Sequence, residues 1–79
     1  MRAYILVTTA VGKADEVGEL LHTIELDKAY LVAVDLVAGV YDLIVVVETD
    51  DPKLIGQLVV GTIQRTEGVT GTVTLLHLG

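Results

Sequence analysis

Along this chain apolar residues first alternate, then recur every three to four positions, then alternate again. The run Ala3-Tyr4-Ile5-Leu6-Val7-Thr8-Thr9 is rich in β-branched side chains and predicts a strand, which Gly12 closes. Val17, Leu20, Leu21 and Ile24 then fall at i, i+3, i+4 and i+7, one stripe of a helix. Asp15, Glu16 and Glu19 occupy the other positions, and acids in a first turn suit the positive end of the helix dipole. Tyr30 to Val37 predicts a second strand, Ala38-Gly39 a tight turn, and Val40 to Glu48 a third strand. The two runs lie too close for a crossover, so they predict an antiparallel hairpin.

Thr49-Asp50-Asp51-Pro52 marks a second helix start, with Asp51 as N-cap and Pro52 in the first helical position. Leu54, Ile55, Leu58, Val59, Thr62 and Ile63 form its apolar stripe. Gly56 and Gly61 each weaken a helix by about 1 kcal/mol relative to alanine, so tertiary packing must hold it. Glu67-Gly68 ends it, and Val69 to Leu78 predicts a last strand. The order is β-α-β-β-α-β. With right-handed crossovers this gives an α+β, ferredoxin-like fold: a four-stranded antiparallel sheet with both helices on one face.

Two helices cover only one face of such a sheet. A solvated second face would show polar residues at alternate positions. Here Leu43, Val45 and Val47 alternate with Ile44 and Val46, and Tyr30, Val32, Val34 and Leu36 alternate with Leu31, Ala33 and Val37. Both faces are therefore expected to be apolar, and leaving one in water forgoes about 1.5–3 kcal/mol for each large side chain. The expected remedy is a second copy packed sheet to sheet about a two-fold axis. Asp35 interrupts the run and reads as a charge that protects an edge strand.

Composition sharpens this picture. A chain of 79 residues has room for one domain, residues 1–79, and a core that small is marginal without reinforcement. There is no cysteine and there are only two histidines, His22 and His77, so disulfides and the usual zinc sites are not expected, and no cofactor is expected either. Partner subunits remain. Hydrophobic residues make up 52% of the chain, yet runs such as Leu43–Val47 fall far short of the roughly 20 residues a spanning helix needs. The first residues carry no cleavage signal, so a cytoplasmic protein without a membrane association is expected. Net charge is −6, and the five bases Arg2, Lys13, Lys28, Lys53 and Arg65 are scattered. Direct nucleic-acid binding, which needs a clustered basic footprint, is not expected.

Two segments carry candidate chemistry. In the hairpin Gly39-Val40-Tyr41-Asp42, ordinary turn chemistry accounts for the glycine and the aspartate, but the motif leads directly into the apolar run Leu43–Val47. In Gly68-Val69-Thr70-Gly71-Thr72-Val73-Thr74, the period of two places Thr72 and Thr74 on one face of the strand. Two hydroxyls beside a turn with free N–H groups suit a carboxylate and an amino group. Serine and cysteine are absent, which removes the commonest nucleophiles, and neither histidine has a neighbouring catalytic partner in the sequence.

Taken together, the element order, Gly39-Val40-Tyr41-Asp42, the Asp50-Asp51 helix start and Gly68-Val69-x-x-Thr72-x-Thr74 resemble the ligand-binding RAM domain of the Lrp/AsnC transcriptional regulators. The resemblance spans essentially the whole chain. It implies dimers formed through the sheets, rings of dimers, and small effectors, usually amino acids, bound where dimers meet. It implies ligand contacts at Gly39, Val40, Tyr41, Asp42, Thr72 and Thr74, with Asp42 facing an amino group and the threonines a carboxylate. Full members place a helix-turn-helix ahead of this module. Here the module begins at Met1, so a stand-alone form is expected, with full-length Lrp/AsnC regulators as further partners. The expected function is effector sensing coupled to assembly, with no catalysis. Two other readings compete: a dimeric α+β barrel enzyme using Asp35, His22 or His77, and a purely structural oligomerisation partner.

Overall fold

The computed structural model describes residues 1–79. Strand β1 (Arg2–Thr9) is followed by helix α1 (Ala14–His22), strand β2 (Ala29–Leu36), strand β3 (Leu43–Thr49), helix α2 (Pro52–Leu58) and strand β4 (Val69–Leu76). A π-helical segment, Val59–Ile63, continues α2. The sheet order is β2-β3-β1-β4, and every neighbouring pair is antiparallel. This is the ferredoxin-like α+β fold that the element order predicts.

Period-two alternation sorts the central strands cleanly. Ala3, Ile5 and Val7 of β1 pair with Val47, Val45 and Leu43 of β3, and all six are fully buried beneath the helices. Against them α1 sets Val17 and Leu21, and the second helical segment sets Ile55, Leu58, Val59 and Ile63. The stripe on α1 differs from the sequence expectation. Gly18 is buried, its Cα so close to the sheet that a Cβ there would meet Leu43 Cδ2 at 3.4 Å. Leu20 is instead half exposed. The helix rotates its smallest residue toward the sheet, because close approach buries Val17 and Leu21 more completely.

Helix α2 starts as expected. The Asp51 Oδ1 accepts from the Lys53 N–H at 3.0 Å, and Pro52 opens the helix. Its continuation is wider than an α-helix, since the Gln64 N–H reaches the Val59 carbonyl at 2.8 Å, a five-residue step. Gly61 and the crowded β-branched neighbours Val59, Val60 and Thr62 make the regular α-helical step weak here. The wider turn carries Ile63 to full burial.

The β2–β3 connection corrects the sequence expectation. The third strand begins at Leu43, not Val40, and residues 37–42 form a longer connection. The Val37 N–H donates to the Asp42 carbonyl at 3.0 Å and Gly39 adopts a φ of +155°. A bulge also changes β2: Leu31 pairs with Val47, but Ala33 pairs with Val46, so Val32 is the extra residue. Leu31, Val34 and Leu36 therefore face the helices, and Tyr30, Ala33 and Asp35 face the other way. Asp35 does lie on an edge strand.

The face away from the helices carries Tyr30, Ala33 and Asp35 from β2, Ile44, Val46 and Glu48 from β3, Arg2, Tyr4, Leu6 and Thr8 from β1, and Val73 and Leu75 from β4. No helix covers it. Tyr30 is 76% exposed, Val73 42% and Leu75 48%, so its outer strands lie open, while Leu6 and Ile44 at its centre are half-buried and Val46 is buried among its neighbours.

Candidate functional site

The hairpin and the late threonines lie at the same end of the sheet. Leu43 and Thr72 both pair with Val7, from opposite sides of β1. Asp42 precedes Leu43 and is tied to β1 twice. Its N–H donates to the Val7 carbonyl at 2.9 Å, and its Oδ2 accepts from the Thr9 N–H at 2.8 Å. The carboxylate thus clamps the end of β1, which the sequence reading did not anticipate, and its second oxygen stays free. Gly39 and Val40 are exposed and Tyr41 is half-buried.

Thr72 and Thr74 share the face of β4 on the helix side, as the period of two requires. The Thr72 Oγ1 accepts from the Gln64 Nε2 at 3.0 Å. Thr74 lines a groove of ≈ 360 Å³ with Ile55, Val59, Val60 and Leu76. A smaller hollow of ≈ 240 Å³ is formed by Gln64, Val69, Thr70 and Gly71. Thr70 donates to the Thr8 hydroxyl at 3.0 Å, and Thr8 donates to the Gly71 carbonyl at 3.3 Å. Thr8, Gln64 and Thr70 were not singled out in the sequence. Thr8 meets Thr70 and Gly71, more than sixty residues away, only through the β1–β4 register, whereas Gln64 reaches Thr72 across the short turn between the second helix and β4.

The structure brings Asp42 and Thr72 to one rank of the sheet but not into one cavity. With β1 between them, their strands are separated by two strand spacings, about 10 Å. None of the grooves on the chain contains both the hairpin and Thr72 or Thr74.

The residues needed for catalysis are likewise dispersed. His22 rims an open groove of ≈ 290 Å³ with Asp15 and Glu19 but makes no hydrogen bond to either. Asp35 lies at the far edge on the other face of the sheet, and His77 accepts or shares a proton with the Tyr4 hydroxyl at 3.2 Å. No three histidine or acidic side chains cluster as a metal site. On the open face Arg2 pairs with Glu48 at 3.4 Å. Hydrogen bonding with Tyr4, and then the Glu48 carboxylate, raises the Arg2 guanidinium above its ordinary pKa, so it stays charged. No helix is long and apolar enough to cross a membrane.

No protein-family model matches the sequence, and neither does any curated protein. Solved structures do match. The protein FFRP-DM1 shares 40% identity over 98% of this chain and 97% of its own, with a TM-score of 0.75. AsnC of E. coli superposes with a TM-score of 0.83 at 16% identity, over 99% of this chain and 50% of AsnC. A transcriptional regulator of Neisseria meningitidis, solved as a complex with L-Met, superposes with a TM-score of 0.75 at 15% identity, over 99% of this chain and 49% of its own. The chain thus spans about half the length of the last two, and their low identity speaks for the fold alone.

The fold, together with 40% identity to FFRP-DM1 over nearly the full length of both chains, places the chain in that protein's family. The chain belongs to the Lrp/AsnC family and corresponds to its RAM domain along the full 79 residues.

Proposed function

We propose that this chain is one domain that senses a small metabolite, an amino acid, and couples its binding to assembly with copies of itself. The observation that carries the reading is the separation of the two candidate clusters. Asp42 and Thr72 share an end of the sheet, yet β1 keeps them about 10 Å apart and no cavity joins them. An α-amino acid holds its ammonium and carboxylate on one carbon, so a single ligand cannot bridge that gap within one chain. A site made from Gly39, Val40, Tyr41 and Asp42 of one copy and Thr72 and Thr74 of another closes it.

The open sheet face supports the required assembly. Leu6, Ile44, Val73 and Leu75 form an apolar centre, and pairing two such faces buries side chains worth about 1.5–3 kcal/mol each. A sheet-to-sheet dimer uses that face and leaves the hairpin and β4 ends free for contacts between dimers, as a ring of dimers requires. The Neisseria regulator's complex with L-Met adds support for an amino-acid effector. Full-length regulators of the family are natural further partners, because they offer the same sheet. The net charge of −6 and the absence of a basic cluster favour action through such partners over direct contact with nucleic acid. A cytoplasmic setting, where amino-acid pools are sensed, fits this role.

Ligand-coupled assembly typically involves 1–3 kcal/mol between sites, about 5- to 150-fold in affinity. Light scattering with and without each of the twenty amino acids tests it. A mass above the dimer that changes with one amino acid supports the reading. A fixed mass indifferent to all twenty refutes sensing and leaves a structural oligomerisation partner.

A further inference from the structure

We propose that the two flanks of the sheet are complementary docking surfaces for copies of this chain, the α2–β4 flank of one copy seating on the α1–β2 flank of the next. The inference rests on the reading that copies assemble, and adds which surfaces meet and in which direction.

β2 and β4 are the outer strands of the sheet, three strand spacings or about 14 Å apart, so the two flanks face opposite ways and cannot meet within one molecule. Their charges are segregated. Residues 14–36 hold six of the eleven acids, Asp15, Glu16, Glu19, Glu25, Asp27 and Asp35, against one base, Lys28. Residues 52–66 hold Lys53 and Arg65 and no acid, and from Gly68 onward there is no acid either. Neither Lys53 nor Arg65 pairs with a carboxylate in the chain, and neither Asp15 nor Glu19 pairs with a base.

The shapes match as well. On the α2–β4 flank, Val60 is 61% exposed beside the groove lined by Ile55, Val59 and Leu76. Gly56 opens onto the same groove, and a Cβ there would meet nothing within 4 Å, so packing inside the chain does not call for glycine. A glycine that weakens the helix without relieving any internal crowding leaves room for close approach from outside. On the α1–β2 flank, Val34, Leu36 and Leu43 floor a groove of ≈ 290 Å³, open where Gly18 has no side chain and rimmed by Asp15 and Glu19. Val60 is thus a small apolar knob and this groove its seat, with Lys53 and Arg65 set against the carboxylates of the rim. The bulge at Val32 and the charge of Asp35 oppose continuous strand pairing along β2, so the helix-side groove makes the contact.

A contact between two different surfaces repeats from copy to copy and either closes a ring or runs on as a filament. The open face of the sheet stays free for two-fold pairing. The same flank contact carries the hairpin, which follows β2, toward β4 of the next copy, as the proposed effector site requires.

Sedimentation equilibrium of the full chain tests this with two charge-reversed variants. One carries Lys53→Glu and Arg65→Glu, the other Asp15→Lys and Glu19→Lys. All four side chains are exposed, and circular dichroism checks that each variant folds. The native chain is expected to exceed the mass of a dimer, and association between dimers to weaken by about tenfold or more in either variant alone. An equimolar mixture of the two is expected to regain the native mass, because each variant then meets the opposite charge on both of its flanks. Val60→Ser removes the knob at unchanged net charge and is expected to weaken the same association by about tenfold, with Val60→Ile retaining it. If the native chain assembles beyond the dimer, an unchanged mass for either charge reversal or for Val60→Ser, or a mixture that stays dimeric, overturns the flank contact while the sensing reading stands on other surfaces. If the native chain is no larger than a dimer with or without each of the twenty amino acids, the coupling of binding to assembly fails and takes this inference with it. Calorimetric binding of a synthetic peptide of alternating arginine and valine by that dimer would then give the acidic flank to a foreign basic partner.

Discussion

Replacing Asp42 by alanine separates what this residue does for the fold from what it does for a ligand. In the chain alone, its Oδ2 accepts from the Thr9 N–H at 2.8 Å, a short, charge-assisted bond that joins the hairpin to the end of β1. A hydrogen bond to a charged group contributes about 1.5–3 kcal/mol. Thr9 is only half-buried, so water takes part of the place of the lost acceptor, and about 1–2 kcal/mol is expected for Asp42→Ala. In a domain this small each kcal/mol moves the thermal midpoint by roughly 4–8 °C, giving a fall on the order of 10 °C. Asp42→Asn keeps an acceptor oxygen without the charge and is expected to cost about half as much. The assay is thermal or urea unfolding at one fixed protein concentration, because association of copies adds to apparent stability. If Asp42→Ala unfolds within about 0.5 kcal/mol of the native chain, the ordinary spread for surface substitutions, the clamp contributes nothing and the reasoning is wrong. If it is destabilised as expected, effector binding by Asp42→Asn, measured well below its midpoint, reports the ligand role by itself.

Other predictions follow from other parts of the fold. Leu6 occupies the open face between Ile44 and Val73, so Leu6→Glu should convert a dimer to monomers in sedimentation velocity while leaving the circular dichroism spectrum intact; an unchanged mass would place the interface elsewhere. Gly68 has a φ of +97°, and a Cβ there would lie 2.8 Å from Val17 Cγ2. Gly68→Ala combines a strained backbone with overpacking, so a loss of about 2–4 kcal/mol by urea unfolding is expected. Asp51→Ala removes the cap on Lys53 N–H and should cost about 1 kcal/mol, read as a lower urea midpoint. Arg2→Ala removes only exposed contacts with Tyr4 and Glu48, so the monomer's unfolding midpoint should barely move.

Much of this architecture was legible from local pattern. The stripe Ile55, Leu58, Val59 and Ile63, the alternation Ala3-Ile5-Val7, and the Asp51-Pro52 helix start each depend on residues within a few positions of one another. Local sterics and hydrogen bonding suffice to impose them. Leu20 escaped this logic because Gly18, with no side chain to register as apolar, gives the closer approach to Leu43. The hairpin was misjudged for a similar reason: Val40 has a strand-forming side chain, but Asp42 is held to Val7 and Thr9, both more than thirty residues away.

The candidate site divides along the same line. That Thr72 and Thr74 share a face follows from the period of a strand. Which face they share, and that Gln64 reaches Thr72 while Thr70 reaches Thr8, follow from the β1–β4 register and from the π-helical turn that places Gln64. The sequence by itself determined the order of the elements, the buried stripes, the capped start of α2 and an apolar excess that two helices cannot cover. Only the tertiary structure decided that Val32 bulges out of β2, that Asp42 and Thr72 flank β1 without meeting, and that Thr72 accepts from Gln64. These depend on pairing between distant segments, where a shift of one residue exchanges the two faces of a strand, and no local pattern specifies that alignment.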